Sequence, residues 1–207
     1  MFNLTREELQ IFKKLNTPIK IQDFLDTLAI NWEKEGDTNM SPREVLKHKK
    51  AHCFEGALFA ATTLWIHGHK PLVLELKVPG DINHMVTLYK INGYWGAISK
   101  TNHLALRFRD PVYKTLRELA LSYMHECWKD TNGKKVLRGF AGPFDMSKFG
   151  TEWITTTEDL YPIAEKMYDT PTKLLFPKSQ EKYLRPADAF ERELGSLIEW
   201  KKRDKRT

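Results

Sequence analysis

Apolar residues near the start of the chain fall at helical spacing. Leu9, Ile11, Phe12 and Leu15 make one stripe, and Ile21, Phe24, Leu25 and Leu28 a second. Thr5 and Glu8 stand in the T-x-x-E relation of a capping box, which predicts a helix start, and Thr17-Pro18 separates the two helices. Asn31 to Met40 is polar and predicts a loop. Ser41-Pro42-Arg43-Glu44 predicts another helix start, with Ser41 as cap, Pro42 at the first helical position and Glu44 completing the box. From Cys53 to Ile66 the chain is apolar over a helical length, through Phe54, Ala57, Leu58, Ala60, Ala61, Leu64 and Trp65, and Gly68 provides a stop. These residues occupy most faces of the helix, so it should be buried. Cys53 falls at its N-terminus, or at a kink in a longer helix.

The period then changes from that of a helix to that of a strand. Leu72 to Val78 alternates like a half-buried strand, Pro79-Gly80-Asp81 turns the chain, and Asn83 to Tyr89 predicts a second strand. Asn92-Gly93 is a two-residue hairpin signal leading into a third strand, Tyr94 to Ser99. With that turn, Ile91 pairs with Tyr94, Leu88 with Ala97, Val86 with Ser99, and His84 with Thr101. His84, Ser99 and Thr101 then share one face, with Asn102 on the other. After Asp110-Pro111 the pattern predicts a long amphipathic helix to about Trp128, with Leu116, Leu119, Ala120, Tyr123, Met124 and Cys127 on its apolar stripe. The predicted fold is α+β, a buried helix on a small antiparallel sheet with helical additions at both ends. Residues 1–133 form the core with its N-terminal helices. Residues 134–207 form a wrapping subregion of the same domain, punctuated by prolines, with a last helix near Ala187 to Trp200 and a basic tail.

Composition changes this picture little. The 207 residues are 41% hydrophobic and 29% charged, enough for a sizeable core and unlike a disordered chain. No apolar run reaches the length of a membrane span, and Met1 to Glu8 has no basic-then-apolar leader pattern, so a cytoplasmic protein is expected. The net charge is +6, but Lys201 to Thr207 holds five basic groups and one acid, leaving +2 for the rest. The body is nearly balanced, which argues against a nucleic-acid partner.

Two cysteines cannot build a disulfide framework. Cys127 lies on an apolar stripe and reads as a filler thiol. Cys53 follows His52, with Lys49 and Lys50 close by, at a predicted helix start. There the helix dipole and nearby cations favour thiolate, and the unpaired N–H groups can receive an oxyanion. His67-Gly68-His69 has no carboxylate or thiol at ligand spacing, so no metal is expected. No glycine-rich phosphate loop or D-x-D-x-D-G calcium loop is present, and no cofactor is called for.

The segments His52-Cys53-Phe54-Glu55-Gly56-Ala57, Asn83-His84-Met85-Val86 and Gly93-Tyr94-Trp95-Gly96-Ala97-Ile98-Ser99-Lys100-Thr101-Asn102 together resemble the transglutaminase-like superfamily. The likeness covers roughly residues 40 to 130 and is closest to bacterial transglutaminase-like proteins. The resemblance implies a papain-like core in which Cys53 is the nucleophile and His84 the general base. The family's third member, an Asp fifteen residues after the His, falls here on Ser99; Asn102 is the alternative third member, and Asp81 and Asp110 are further acids without a place. Trp95 and His52 are the candidates for contacting substrate, although Trp95 reads first as core packing. The implied activity is acyl transfer through a thioester on a peptide or protein amide, or on an ester. Cys53 thiolate, paired with His84 imidazolium, attacks the carbonyl, and water or an amine resolves the thioester. The alternative is a non-catalytic module of the same fold that binds a peptide or protein beside His84, as the neutral Ser99 suggests.

A chain ending at Trp200 should show at most weak binding to generic DNA at low salt, measured by fluorescence anisotropy. That binding should vanish by about 0.2 M salt.

Overall fold

The computed structural model describes residues 2–33, 36 and 38–195. It opens with α1 (Arg6–Lys14) and α2 (Pro18–Thr27). Thr5 and Glu8 form the reciprocal capping box, and Thr17 caps α2 with Pro18 in its first turn. The short strands β1 (Ala29–Ile30) and β2 (Lys50–Ala51) pair in parallel on either side of α3 (Pro42–His48). Ser41 caps α3 as expected, but Glu44 does not complete the box. Its carboxylate turns outward to Lys47 (2.9 Å) and His48 (3.1 Å).

Next comes α4 (Cys53–Ile66), buried without interruption from Phe54 to Leu64. Two hydrophobic clusters enclose it. Phe59, Ala60 and Leu64 pack with Phe12, Ile21, Leu25 and Val45 of the N-terminal helices. Phe54, Leu58 and Ala61 pack with Val73, Met85, Trp153 and Met167.

The main sheet has β3 (Leu72–Lys77), β4 (His84–Ile91), β5 (Tyr94–Ile98), β6 (Arg109–Tyr113), β7 (Gly139–Asp145) and β8 (Lys173–Leu174). Their order is β6-β5-β4-β3-β7-β8, with every neighbouring pair antiparallel. Asn92 and Gly93 have φ of 49° and 88°, the left-handed pair of a two-residue turn. The expected register holds from Ile91↔Tyr94 through Leu88↔Ala97 to Thr87↔Ile98. There the ladder ends, so His84 does not pair with Thr101; it pairs with Leu76 of β3 instead. A third cluster, including Leu74, Leu76, Val86, Leu88 and Ala97, packs with Leu119, Ala120 and Tyr123. It is built around α5 (Leu116–Leu121).

Three expectations are corrected. The chain after Asp110 is not one long helix: Arg109–Tyr113 is edge strand β6, α5 stops at Leu121, and Met124–Glu126 is a short 3-10 turn. The stripe from Leu116 to Cys127 is still apolar because α5 and the following turn cover the same core, so a helical period did not demand a continuous helix. Strand β3 is not half-buried, since it is central and covered on both sides; Glu75 and Lys77 are buried and pair at 2.8 Å. The segment after Lys134 is more than a wrapping: β7 pairs with β3 inside the sheet. Its proline and glycines mask the strand pattern in sequence. It continues through α6 (Tyr161–Tyr168) to α7 (Ala189–Gly195), where the last helix expected near Ala187 to Trp200 is described only to Gly195; the rest of it and the basic tail lie outside the described residues. Among the described residues no helix is long and apolar enough to cross a membrane.

Gly56 fixes how closely α4 approaches the segment after β5. A Cβ there would fall well inside van der Waals contact of the Lys100 Cβ, and Lys100 is fully buried with its ammonium on the Leu28 carbonyl at 2.7 Å. Gly56→Ala, which in an exposed helix interior gains stability, is expected here to lose about 1–3 kcal/mol, read as a lower urea midpoint at unchanged slope.

Candidate functional site

Cys53 is the first residue of α4, which decides between a helix start and a mid-helix kink. Lys49 in the left-handed region (φ 54°) ends α3, β2 intervenes, and His52 with extended backbone begins the new helix as its cap. The Nδ1 of His52 accepts from the Phe54 N–H at 3.2 Å, and the Glu55 carboxylate accepts from the His52 N–H at 2.8 Å. His52-Cys53-Phe54-Glu55 is thus a capping box with an imidazole in place of the usual hydroxyl. Cys53, at the first helical position, keeps an amide N–H with no intrahelical acceptor.

The β4 strand brings His84 to the same point. His84 is buried, its Nε2 lies 2.7 Å from Ser99 Oγ, and it is near enough to Cys53 to favour the thiolate. Gln22 of α2 clamps Ser99 from behind, donating to its carbonyl at 2.9 Å and accepting from its N–H at 3.0 Å. The structure therefore sets Ser99, not Asn102, against His84; Asn102 lies in the bend that follows. Asp81 is in the exposed turn before β4, and Asp110 is in edge strand β6. The serine hydroxyl can accept from an Nε2–H or donate to a bare Nε2, so it neither fixes the tautomer nor supplies charge.

Trp95 is not part of this cluster. It pairs with Lys90 near the hairpin turn, with the Lys90 ammonium 4.7 Å from its ring, and packs on the core around Leu88. Four residues separate it from Ser99, about 13 Å along a strand. His52, in contrast, stands directly beside the thiol. Sγ lies 4.0 Å from the Asn83 carbonyl.

Burial opposes ionisation of Cys53, but hydrogen bonds and charge from His52 and His84 outweigh it and hold the thiol well below its ordinary range. Burial also opposes charge on His52; the Cys53 thiolate, Glu55 and the Thr38 carbonyl overcome it and raise His52 to about 9. Cys127, half-buried among apolar groups, is pushed up to about 11 by burial and Asp81.

The groups the sequence did not reveal belong to the polar loop and to Glu55. Glu55 is fully buried and accepts from Met40 N–H (3.0 Å), Asn31 Nδ2 (3.1 and 3.2 Å) and Thr38 Oγ1 (3.4 Å), besides His52 N–H. The Thr38 carbonyl takes the other nitrogen of His52, Nε2, at 2.7 Å. One charged residue three positions after His52, inside an otherwise apolar helix, was the available signal. A recess of about 290 Å³ shares Asn31, Glu33 and Thr38 with this network and is also lined by Trp32 and Lys50. On the other side, Asn83 Nδ2 donates to Glu75 at 2.7 Å. Among the described residues, no group of three or more His, Cys, Asp or Glu could hold a metal ion.

No protein-family model matches the chain, and no curated protein matches it in sequence.

At pH 6.5, iodoacetamide should label Cys53 faster than Cys127 by on the order of 10² or more, followed by peptide mass spectrometry. The gain in thiolate fraction exceeds the loss of intrinsic nucleophilicity that accompanies a lower thiol pKa.

Proposed function

We propose that this protein is a cysteine-dependent acyl-transfer enzyme of the transglutaminase-like, papain-like type. It would act on a peptide or protein amide, or on an ester, through a thioester at Cys53 with His84 as general base. The observation that carries the reading is Cys53 at the start of a buried helix, its thiol lowered by His52 and by His84, whose Nε2 is held by Ser99 at 2.7 Å. A reactive thiolate needs a cation, a helix N-terminus and a positioned base, and this arrangement has all three.

In the first step Sγ bonds to the carbonyl carbon, and the unpaired N–H of Cys53 faces the developing oxyanion. The leaving amine or alcohol departs with a proton from the site, and the thioester remains. His84 then takes a proton from water or an acceptor amine as that nucleophile attacks, releasing acid or new amide and restoring the sulfur. The two free thiols fit a reducing compartment, in keeping with a cytoplasmic protein.

Incubation with p-nitrophenyl acetate should place an acetyl group on the peptide containing Cys53, and Cys53→Ala should abolish both adduct and turnover. His84→Gln should lower steady-state turnover by about 10²–10⁴ while the acetyl adduct still forms and accumulates. Wild-type protein that alkylates rapidly at Cys53 but forms no acyl adduct with activated esters would overturn this reading and favour the peptide-binding module.

A further inference from the structure

We infer that Asn83 is a positioning residue for His84, and that the buried carboxylate of Glu75 holds Asn83 in place. The inference rests on the acyl-transfer reading and deepens it by naming the device that sets the base against the sulfur. Both residues act on the chemistry through the placement of His84.

His84 opens β4 at an end that the sheet holds from one side. The β4–β5 ladder runs as far as Thr87↔Ile98, so among the described residues the strand pairing of His84 is with Leu76 of β3 alone. Just before it, Pro79 to Ile82 form an exposed turn, with Gly80 at φ 77° and Ile82 84% exposed. A general base has to be held within a fraction of an ångström, and a strand end beside an exposed turn does not do this unaided. Asn83 joins the turn to the strand through three contacts. Its Oδ1 accepts from the Val78 N–H at 2.8 Å and closes the turn, and its Nδ2 donates to Glu75 Oε1 at 2.7 Å and ties the turn to β3. Its backbone carbonyl lies 4.0 Å from Cys53 Sγ. A backbone N–H can only donate and a carboxylate oxygen accepts, so the two bonds fix the orientation of the amide. The residue that immediately precedes His84 is thereby anchored on both the strand and the cysteine side.

Glu75 is costly where it stands. Strand alternation puts Val73, Glu75 and Lys77 on one face of β3, and Val73 packs with Phe54 and Leu58 of α4, so this is the face that meets the cysteine helix. Glu75 is fully buried there, between Met85 of β4 and Ala141 of β7. Lys77 Nζ lies 2.8 Å from Glu75 Oε2 and donates to the Tyr168 carbonyl at 2.6 Å, at the C-terminal end of α6, where helix carbonyls favour a cation. The contact with Lys77 is charge pairing: Oε2 makes no hydrogen bond, and the directed bond of the carboxylate is the one from Asn83. A buried ion pair adds little stability over an apolar pair of the same volume. What this pair supplies is an acceptor at a fixed height beneath the turn, with its charge balanced by Lys77. A continuous line of polar contacts then runs from α6 through Lys77 and Glu75 to Asn83.

The test is the hydrolysis of acetyl-Cys53 once formed, followed by intact mass after excess p-nitrophenyl acetate is removed from the full chain. This decay counts only molecules folded well enough to acylate, so a merely structural role would leave its rate in place. Three variants are compared with wild type. Asn83→Ala leaves the ion pair intact, Glu75→Leu with Lys77→Met removes the acceptor and both charges, and Glu75→Gln with Lys77→Met removes both charges but retains an amide oxygen for Asn83. The decay should slow by about tenfold or more in Asn83→Ala and in the Leu–Met variant, and stay within about threefold of wild type in the Gln–Met variant. Decay at the wild-type rate in Asn83→Ala overturns the inference and leaves the acyl-transfer reading standing. Equal rates in the two double variants overturn it as well, because the bond to Asn83 would then not be what matters. A wild type that forms no acetyl adduct overturns both readings. If the Leu–Met variant does not fold, Asn83→Ala decides alone: a slowed decay supports the inference, and an unchanged one overturns it.

Discussion

Helix α4 is apolar around nearly its whole circumference, and that property governs the arrangement of everything else. An amphipathic helix needs one covering layer, but α4 needs cover on every side. The N-terminal helices, β3 and β4, and the segment from Met146 to Met167 supply it. Gly56 lets the segment after β5 come into backbone range of the helix, which keeps Ser99 and His84 close to the helix start. The position of the cysteine relative to the histidine is therefore a consequence of core packing. The elements that hold them are among the most buried in the molecule.

The same burial creates an electrostatic demand. Glu55 is the lone charged side chain on α4 and has no access to water. An isolated carboxylate there would be costly, so the fold must surround it with donors. Asn31, Thr38 and the backbone of Met40 and His52 meet that demand. Asn31, Thr38 and Met40 of the polar loop are thereby fixed against the helix start. The loop's Thr38 carbonyl and Glu33 carboxylate then act on the imidazole of His52. Satisfying one buried charge thus also sets the field around the thiol.

Around Cys53 the negative charge stands on the helix side and not on the strand side. A carboxylate behind His84 would stabilise that ring as a cation; Ser99, fixed by Gln22, holds the ring in place without biasing its charge. On the far side of the sulfur, the Glu75–Lys77 pair and Asn83 form a balanced polar wall that adds little net charge.

By itself the sequence determined the buried helix, the β3–β4–β5 meander, the hairpin register and the nearness of Ser99 to His84. Each follows from a short-range period, a cap or a two-residue turn, which act over a few residues. Tertiary structure decided the rest. The broken stripe after Asp110 and the insertion of β7 beside β3 depend on what those segments pack against, and apolar spacing does not specify that. The separation of Trp95 from the site depends on which end of the hairpin meets α4. The pairing of His52 with Glu55, Thr38 and Glu33 depends on a loop whose conformation is set by a charge it must solvate. Local pattern records which side chains need burial, while the field at a buried sulfur is a sum over groups distant in sequence, and only the folded chain brings those terms together.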